Sequence, residues 1–377
     1  MQPMHLRKRG AASNYKDHDK GGDVGKIHLT GKAAQKFLQG GSKMNKRATL
    51  LVWILVVMFS MTLSVSAQAQ EKKIVAKLAD ILSPDHPHTR SWVYFAEKVK
   101  EKTKGRVEVQ VYHSGQLGQT KDLYLGMQMG NVEMAKVSVS FTGEWIPELY
   151  VFDLPYLFNN REEMWRVFKS GVGNKFFNEY YAKQNLVGMM WADDGGRSIY
   201  TGNKAVRNPE DLKGLKIRVQ PSAIHIQSIN EMGGIATPTA WGEVYLALQQ
   251  KVLDGAENSP VLFWTSKHWE VCKVYSMTEQ FWLPTPLLAS KKWWDTVPKD
   301  LQAQIKEAAQ EAEKYFVQIY TTDEKQALGW VKDKGVQIVA DVDKAAFEKR
   351  IQPVYETFIK KYPFGKDLLD QVRAAKK

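Results

Sequence analysis

The fold is decided by the stretch KIVAKLADILSPDHPHTRSWVYFAEKVKEKTKGRVEVQVYH, Lys73 to His113. Its two ends, KIVAKLA and RVEVQVYH, have the composition of strands. Between them, apolar residues recur at the spacing of one helix face: Trp92, Phe95, Ala96 and Val99. Gly105 ends this predicted helix, Thr89 to Lys104, because glycine tolerates the conformation that closes a helix. The order strand, helix, strand predicts a parallel α/β unit.

The same order returns further along the chain. Two more strands are predicted at NLVGMMWADD, residues 185–194, and GLKIRVQ, residues 214–220. A helix is predicted at PTAWGEVYLALQQK, with one face made by Trp241, Val244, Tyr245 and Leu248. From Asp300 to Gly335 a tract rich in Ala, Glu, Gln and Lys predicts one long helix. At about 1.5 Å per residue, that helix is long enough to run across both α/β blocks.

The composition is that of an ordinary globular protein, with 44% hydrophobic and 25% charged residues among 377. That length is enough for two domains with cores of their own. The net charge of +12 is concentrated at the start, because residues 1–70 hold 11 Lys and Arg against 3 Asp. The remainder has 42 basic and 38 acidic residues, a net charge of +4. Its composition therefore argues against nucleic-acid binding.

Residues 44–69 have the three parts of a cleavable secretory signal peptide. These parts are, in order, the basic Lys46 and Arg47, the apolar residues 48–65, and the small-residue site Ala67-Gln68-Ala69. The alternative is an uncleaved membrane anchor, since the apolar part approaches the roughly 20 residues that cross a bilayer. Ser60, Thr62 and Ser64 interrupt it and favour cleavage. We therefore predict an exported, periplasmic protein whose mature chain starts near Gln70.

Residues 1–43 are basic and Gly-rich and show no hydrophobic periodicity. They are either a disordered arm or an extension upstream of a true start at Met44. We favour the second interpretation, because a long polar segment before a signal peptide obstructs export.

Cys272 is the one cysteine of the sequence, so no intrachain disulfide forms and the core alone must hold the fold. Its apolar neighbours predict a buried thiol that packs as a small hydrophobic group.

The most informative candidate for binding is in DLKGLKIRVQPS, Asp211 to Ser222. Side chains alternate along a strand, so Lys216, Arg218 and Gln220 are expected on one side, and Ile217 and Val219 on the other. An arginine in such a strand needs an anionic partner or water. Two interpretations remain open: a surface strand with solvated charges, or a guanidinium that clamps a carboxylate with two hydrogen bonds.

A second candidate segment is WADDGGRSIYTG, residues 191–202. The pair Gly195-Gly196 predicts a tight turn at a cleft edge, directly before Arg197; the alternative is an ordinary loop that leads into a strand. Asp193 and Asp194 raise the alternative of an enzyme with an acid and base pair. Adjacent carboxylates on an extended chain point in opposite directions, which argues against that use.

A third candidate is Asn258, in KVLDGAENSPVLFW. It follows an Asp-Gly turn and precedes a proline. Two interpretations remain open: a turn-forming residue, or an amide that contacts a ligand.

A fourth candidate is SPDHPHT, residues 83–89, where His86 and His88 raise the alternative of a metal site. An H-x-H pair alone is weak, and no further His-rich or Cys-containing group lies nearby. The favoured interpretation is a helix-capping loop, with a cap drawn from Ser83, Asp85 and Thr89.

The sequence has no nucleophile elbow, no phosphate loop and no dinucleotide fingerprint. We predict neither a cofactor nor an enzymatic activity. The competing classes are a periplasmic enzyme that acts on a small acid through Asp193 or Asp194, and a metal-binding protein at His86 and His88.

Five segments together resemble the substrate-binding proteins of tripartite ATP-independent periplasmic (TRAP) transporters, in the dicarboxylate-binding branch. They are, in order, FAEKVKEKTKGRVEVQVYHSGQLG, FDLPYLF, DLKGLKIRVQPS, PTAWGEVYLALQQKVLDGAEN and VPKDLQ. The resemblance covers residues 73–360. It implies a two-lobed, hinged α/β fold of the periplasmic-binding-protein type (type II-like), with a long helix spanning both lobes. The implied lobes are residues 70–194 plus 284–322, and 195–283 plus 323–377.

The resemblance also implies the ligand contacts. Arg218 makes the principal salt bridge to a substrate carboxylate. The other implied contacts are Arg197 and Asn258 as hydrogen-bonding groups, Trp241 as an aromatic wall, and Ser138, Asp80 and His88 at the far end of the ligand. Ser138 and Trp241 depart from the sialic-acid binders of the family, which indicates a smaller acid.

The choice among C4-dicarboxylates, sugar acids such as hexuronates, and other organic acids stays open. The implied partners are this ligand and the small and large membrane subunits of a TRAP transporter, with no nucleic acid.

Overall fold

In the computed structural model the chain divides into two compact units, residues 1–70 and residues 71–377. The described residues are Leu50, Leu51, Ile54 and 73–377, and the three in the first unit are helical. The predicted extension, residues 1–43, lies outside the described residues, as does almost all of the predicted signal peptide. Among the described residues, no helix combines the length and the apolar character needed to cross a membrane.

The second unit is built on one mixed sheet of nine strands. The strands are β1 (Ile74–Ala79), β2 (Val107–Tyr112), β3 (Met134–Lys136), β4 (Leu186–Thr201), β5 (Lys216–Val219), β6 (Ile235–Pro238), β7 (Gly255–Asn258), β8 (Val274–Ser290) and β9 (Gln337–Val339). Their order is β2-β1-β3-β8-β4-β7-β5-β6, and β9 pairs with β8 off this path. β1 and β2 are parallel, which confirms the predicted α/β unit.

Helices cover this sheet. The α-helices of residues 73–377 are α1 (Pro87–Lys102), α2 (Thr120–Met129), α3 (Val139–Thr142), α4 (Arg161–Lys169), α5 (Gly171–Lys175), α6 (Ala223–Glu231), α7 (Val244–Gln249), α8 (Pro260–Thr265), α9 (Lys291–Trp294), α10 (Lys299–Asp333), α11 (Lys344–Arg350), α12 (Gln352–Lys361) and α13 (Gly365–Ala375). A π-helical segment, Phe176–Tyr181, follows α5 directly.

Helix α1 has the predicted buried face, made by Trp92, Phe95 and Val99. It starts two residues earlier than predicted, and its N-cap is His86, whose Nδ1 accepts from the His88 backbone N–H at 3.1 Å. The predicted caps, Ser83, Asp85 and Thr89, are therefore wrong. The reason is Pro87, because proline favours the first position of a helix and so makes the preceding residue the cap.

Strands β4 and β8 are 16 and 17 residues long and pair antiparallel along most of their length. The second half of β8 pairs with β3 on one edge and with the first half of β4 on the other. The second half of β4 lies beside β7. These two strands therefore connect the group formed by β1, β2 and β3 with the group formed by β5, β6 and β7.

The predicted tight turn at Gly195-Gly196 is wrong, because both glycines lie inside β4. They sit where the pairing with β8 shifts register, between Asp193 and Gly196. Gly195 has φ +69, and a Cβ there would lie 2.6 Å from Glu324 Oε1 and 2.8 Å from the Tyr320 hydroxyl. The glycines thus form a bulge that lets α10 pack close to the strand. The predicted lobe boundary after residue 194 falls at this bulge, and the boundaries stay a prediction.

Helix α10 confirms the predicted long helix, with 35 residues. Ile305, Ala312 and Phe316 pack in the larger hydrophobic cluster. Near the end of the helix, Val331 packs in the smaller cluster, with Val244 and Tyr275. A single helix therefore joins the two cores. Cys272 is buried in the smaller cluster, as predicted.

We predict that Gly195→Ala lowers the free energy of unfolding by about 1–3 kcal/mol, because the residue has a left-handed backbone and no room for a Cβ. Gly329→Ala is the matched control, since Gly329 lies in α10 with open space around it. This control should raise the free energy of unfolding by about 0.5–1 kcal/mol, the helical preference of alanine. Urea unfolding followed by circular dichroism measures both free energies of unfolding. Equal stability of the two variants would contradict the assignment of Gly195 to a bulge packed against α10.

Candidate functional site

A cavity lies at the carboxyl ends of parallel strands, which border it on two sides. β5 and β7 are adjacent and parallel, and they carry Arg218 and Asn258 near their ends. β1 and β3 are likewise parallel, and Lys136 ends β3. Ligands of α/β proteins bind at such carboxyl edges because the loops and helix starts there leave an open crevice.

The cavity has a volume of about 720 Å³, counting its open mouth. Five of the seven predicted ligand-binding residues line it: Arg218, Arg197, Asn258, Trp241 and Ser138. The polar lining residues that the prediction did not name are Gln119, Thr120, Lys121, Lys136, Asp194 and Gln220. Asp80 and His88 are not among the lining residues.

Arg218 is a buried cation, only 3% exposed, which rules out the alternative of a solvated surface strand. Its Nε and Nη2 donate to the Thr239 carbonyl at 3.0 and 2.8 Å, and its guanidinium lies 5.4 Å from the Trp241 ring. Within residues 73–377 no carboxylate forms an ion pair with it, and its Nη1 has no hydrogen-bond partner. Burial lowers the pKa of Arg218 to about 10, so the group stays charged at neutral pH.

Arg197, in contrast, is already paired. Its Nε and Nη2 donate to the two carboxylate oxygens of Glu257 at 2.8 and 2.7 Å, and its Nη1 donates to Asn258 Oδ1 at 2.7 Å. Burial lowers the pKa of Arg197, but the charge of Glu257 outweighs it and the net change is a raised pKa. Arg197 therefore contributes little net charge and fixes the orientation of the Asn258 amide.

The two adjacent aspartates point to different places, as expected of an extended chain. Asp193 is fully buried and accepts from Arg161 Nε at 3.1 Å and from Trp165 Nε1 at 2.8 Å. Asp194 lines the cavity, 3.5 Å from Arg197 Nη1 and 3.8 Å from Lys136 Nζ. The two carboxylates do not form an acid and base pair.

Asp80 and His88 are buried behind the cavity wall. Asp80 accepts from Trp92 Nε1 at 2.7 Å and from the Leu82 backbone at 3.1 Å, which holds the lining residue Leu82 in place. His88 Nε2 donates to the Asp193 carbonyl at 2.9 Å. Burial lowers the pKa of His88 well below its ordinary value, so the ring is neutral. Within residues 73–377, no three His, Cys, Asp or Glu side chains cluster as metal ligands.

A buried carboxyl group links the two sides of the cavity from behind. Asp153 accepts from Ser140 Oγ and Ser222 Oγ, each at 2.6 Å. Ser140 lies in α3, which follows Ser138, and Ser222 caps α6, which follows the strand of Arg218. Burial raises the pKa of Asp153 to about 7. The His225 ring, 3.6 Å from Asp153, stacks on Phe281, and burial lowers its pKa well below the ordinary value.

The fold and the cavity define a class: a two-lobed α/β protein with a cavity beside an unpaired buried cation. The chain belongs to the bacterial extracellular solute-binding protein family 7, whose family model (DctP) matches residues 78–361. This match confirms the resemblance to TRAP solute-binding proteins.

Solved structures of the family have the same fold as this chain. A TRAP periplasmic solute-binding protein of Chromohalobacter salexigens, with bound D-glucuronate, is 34% identical over 80% of this chain and 99% of its own, with a TM-score of 0.77. One of Sulfitobacter sp., with bound β-D-galacturonate, is 30% identical with the same TM-score, over 80% of this chain and 99% of its own. The C4-dicarboxylate-binding periplasmic protein of Rhodobacter capsulatus is 30% identical over 84% of this chain and 95% of its own. The two-lobed fold is thereby confirmed.

We predict that Asp153→Asn becomes more stable relative to the wild type as the pH rises from 5 to 8. Because the pKa of Asp153 is raised from 3.8 to about 7 in the folded state, the wild type loses stability as the pH rises between these values, where the carboxyl group of the unfolded chain ionises and that of the folded protein does not; above about 7 the loss is constant. The difference in melting temperature between variant and wild type should change by several degrees, since one pKa unit is about 1.4 kcal/mol. Asp85→Asn, at an exposed position, is the control. A difference that does not vary with pH would contradict this prediction.

Proposed function

We propose that the protein captures a small organic acid in the periplasm and delivers it to the membrane subunits of a TRAP transporter, without a catalytic step. The observation that carries the proposal is the buried charge of Arg218, which has no carboxylate partner within residues 73–377 and lines the cavity. A buried ion without a counter-charge is unfavourable, so an anionic ligand is the partner that this position lacks.

The chemistry of the cavity supports an anchor of this kind. Two nitrogens of Arg218 are held by the Thr239 carbonyl, so the guanidinium is oriented before the ligand arrives. Trp241 flanks it and keeps water away on one side. A charge-assisted hydrogen bond gains strength when water is removed, so closure of the lobes around the acid rewards an anion more than a neutral solute.

The relatives narrow the ligand to small organic acids. The structures named above hold D-glucuronate and β-D-galacturonate, and the Rhodobacter protein is a C4-dicarboxylate binder. Each of these ligands carries at least one carboxylate. We infer that the ligand of this chain belongs to the same range.

A thermal-shift screen against organic acids and matched neutral sugars tests the ligand class. A ligand that binds only the folded state adds about 2.7 kcal/mol of stability at 100 times its dissociation constant. Acids should raise the melting temperature and neutral sugars should not, and the bound acid should be recovered unchanged in NMR spectra. Binding of neutral sugars alone would exclude the proposed class, and turnover of the acid would favour the competing enzyme.

We predict that Arg218→Met weakens binding of the best acid by about 2–5 kcal/mol, or roughly thirty-fold to several thousand-fold, because the carboxylate is left unpaired in a desolvated site. Arg218→Lys should restore only part of the affinity, since an ammonium lacks the planar fork. Lys216→Met is the matched control, because Lys216 lies on the same strand but is exposed. Isothermal titration calorimetry measures all three, and an unchanged dissociation constant in Arg218→Met would remove the central role of this residue.

A further inference from the structure

Five charged residues line the cavity, and they are not equivalent: Lys121, Lys136, Asp194, Arg197 and Arg218. Arg197 is neutralised by Glu257, and the exposed Lys121 is screened by solvent. Two features remain. Arg218 is a cation with no counter-charge, whereas Lys136 and Asp194 form a pair with no net charge.

The pair and Arg218 belong to different sides of the cavity. Lys136 ends β3, whereas Arg218 lies in β5, and the strands β8, β4 and β7 separate these two in the sheet. Asp194 lies at the bulge of β4, between them. A ligand whose carboxylate binds Arg218 therefore presents its other end to Lys136 and Asp194.

Lys136 is a buried ammonium with unused donors. It is 6% exposed, and its Nζ makes no hydrogen bond within residues 73–377. The nearest carboxylate oxygen, Asp194 Oδ1, is 3.8 Å away, longer than the hydrogen-bond range of about 2.7–3.2 Å. Three N–H groups of a buried ammonium need acceptors, and they face the cavity that Lys136 lines.

Asp194 is a buried carboxylate with unused acceptor positions. It is 5% exposed, and its contacts with Arg197, Lys136 and His88 are 3.5, 3.8 and 3.9 Å long. Charge-assisted hydrogen bonds are shorter, at about 2.7–2.9 Å. The hydrogen on His88 Nε2 is directed to the Asp193 carbonyl instead. Asp194 therefore keeps lone pairs for another donor.

Three further cavity residues have buried polar atoms without a partner within residues 73–377: Gln119 Oε1, Ser138 Oγ and Gln220 Nε2. Together with Lys136 and Asp194 they offer both donors and acceptors. A hydroxyl group both donates and accepts, so several hydroxyl groups satisfy this mixed set. A carboxylate only accepts.

We propose that Lys136 and Asp194 recognise hydroxyl groups of the ligand, and that the cavity therefore selects hydroxylated monocarboxylates, such as hexuronates, over dicarboxylates. The inference rests on the proposed function, because Arg218 holds the single carboxylate. A second carboxylate beside this pair is attracted by Lys136 but repelled by Asp194, in a site with little water. Hydroxyl groups accept from Lys136 and donate to Asp194 without adding charge.

The first test is calorimetry on the wild-type protein with D-glucuronate, D-galacturonate and succinate, at one pH and ionic strength. At least one hexuronate should bind about 100-fold tighter than succinate or more, because succinate leaves the buried polar groups unpaired. Succinate binding as tightly as both hexuronates would overturn the inference. This comparison needs no variant and does not depend on the folding of a mutant.

The second test assigns the preference to the pair. Asp194→Asn keeps the shape of the side chain but removes its charge. It should weaken hexuronate binding and not weaken succinate binding, so that the ratio of the two affinities falls by about tenfold or more. A general structural effect weakens the binding of both ligands alike. An unchanged ratio of the two affinities would overturn the role of Asp194.

Lys136→Met should weaken hexuronate binding about tenfold or more, since the hydroxyl groups lose their buried donor. Lys216→Met is the matched control, because Lys216 is exposed on β5 and does not line the cavity, and it should change the affinity by less than about threefold. Equal effects of the two variants would overturn the role of Lys136.

The outcomes separate this inference from the proposed function. Tight succinate binding that is lost in Arg218→Met would overturn the selectivity and leave the proposed function standing. Absence of binding to all three acids would count against both.

Discussion

A guanidinium buried without a counter-ion is the constraint on which the site depends. Moving an ion from water into the protein interior is unfavourable by several kcal/mol unless a partner compensates for the lost hydration. Arg218 receives only a backbone carbonyl and an aromatic face in exchange. The surrounding fold must supply the missing stability, and it does so through β5, whose backbone is paired on both edges by β6 and β7. The well-paired strand thus keeps the unpaired charge in its buried position. Binding of an anion then removes the unfavourable energy of that charge.

The pair formed by Arg197 and Glu257 keeps that charge available. Glu257 lies on β7, next to the strand of Arg218, and its charge raises the pKa of Arg218 against the larger lowering effect of burial. Both oxygens of Glu257 are occupied by Arg197, so the carboxylate is not free to move to Arg218. Glu257 is therefore a fully buried acid next to Arg218. The anion site at Arg218 stays open only because Arg197 neutralises Glu257.

Local patterns in the sequence predicted the parts of the structure that local physics determines. The face of α1, the strand of Arg218 and the long α10 follow from periodicity over a few turns or residues. The contributions of Lys136 and Asp194 to the cavity were missed, because they depend on the pairing of β4 and β8, which are far apart in the chain. The sequence around Gly195-Gly196 does not distinguish a turn from a bulge. The close approach of α10 to the strand favours the bulge.

Asp80 and His88 illustrate the same limit for side chains. Their loop lies near the cavity, since its residues Ile81 and Leu82 line it. Whether a side chain in that loop faces the ligand or the core depends on its partners, here Trp92 for Asp80 and the Asp193 carbonyl for His88. These bonds hold the first loop and the bulge of β4 together. Asp193 is thereby fixed by Arg161, Trp165 and His88, and its neighbour Asp194 is presented to the cavity from a rigid support. Hydroxyl recognition by Asp194 therefore needs no side chain to be ordered when the ligand arrives, which preserves the binding energy that flexible groups lose.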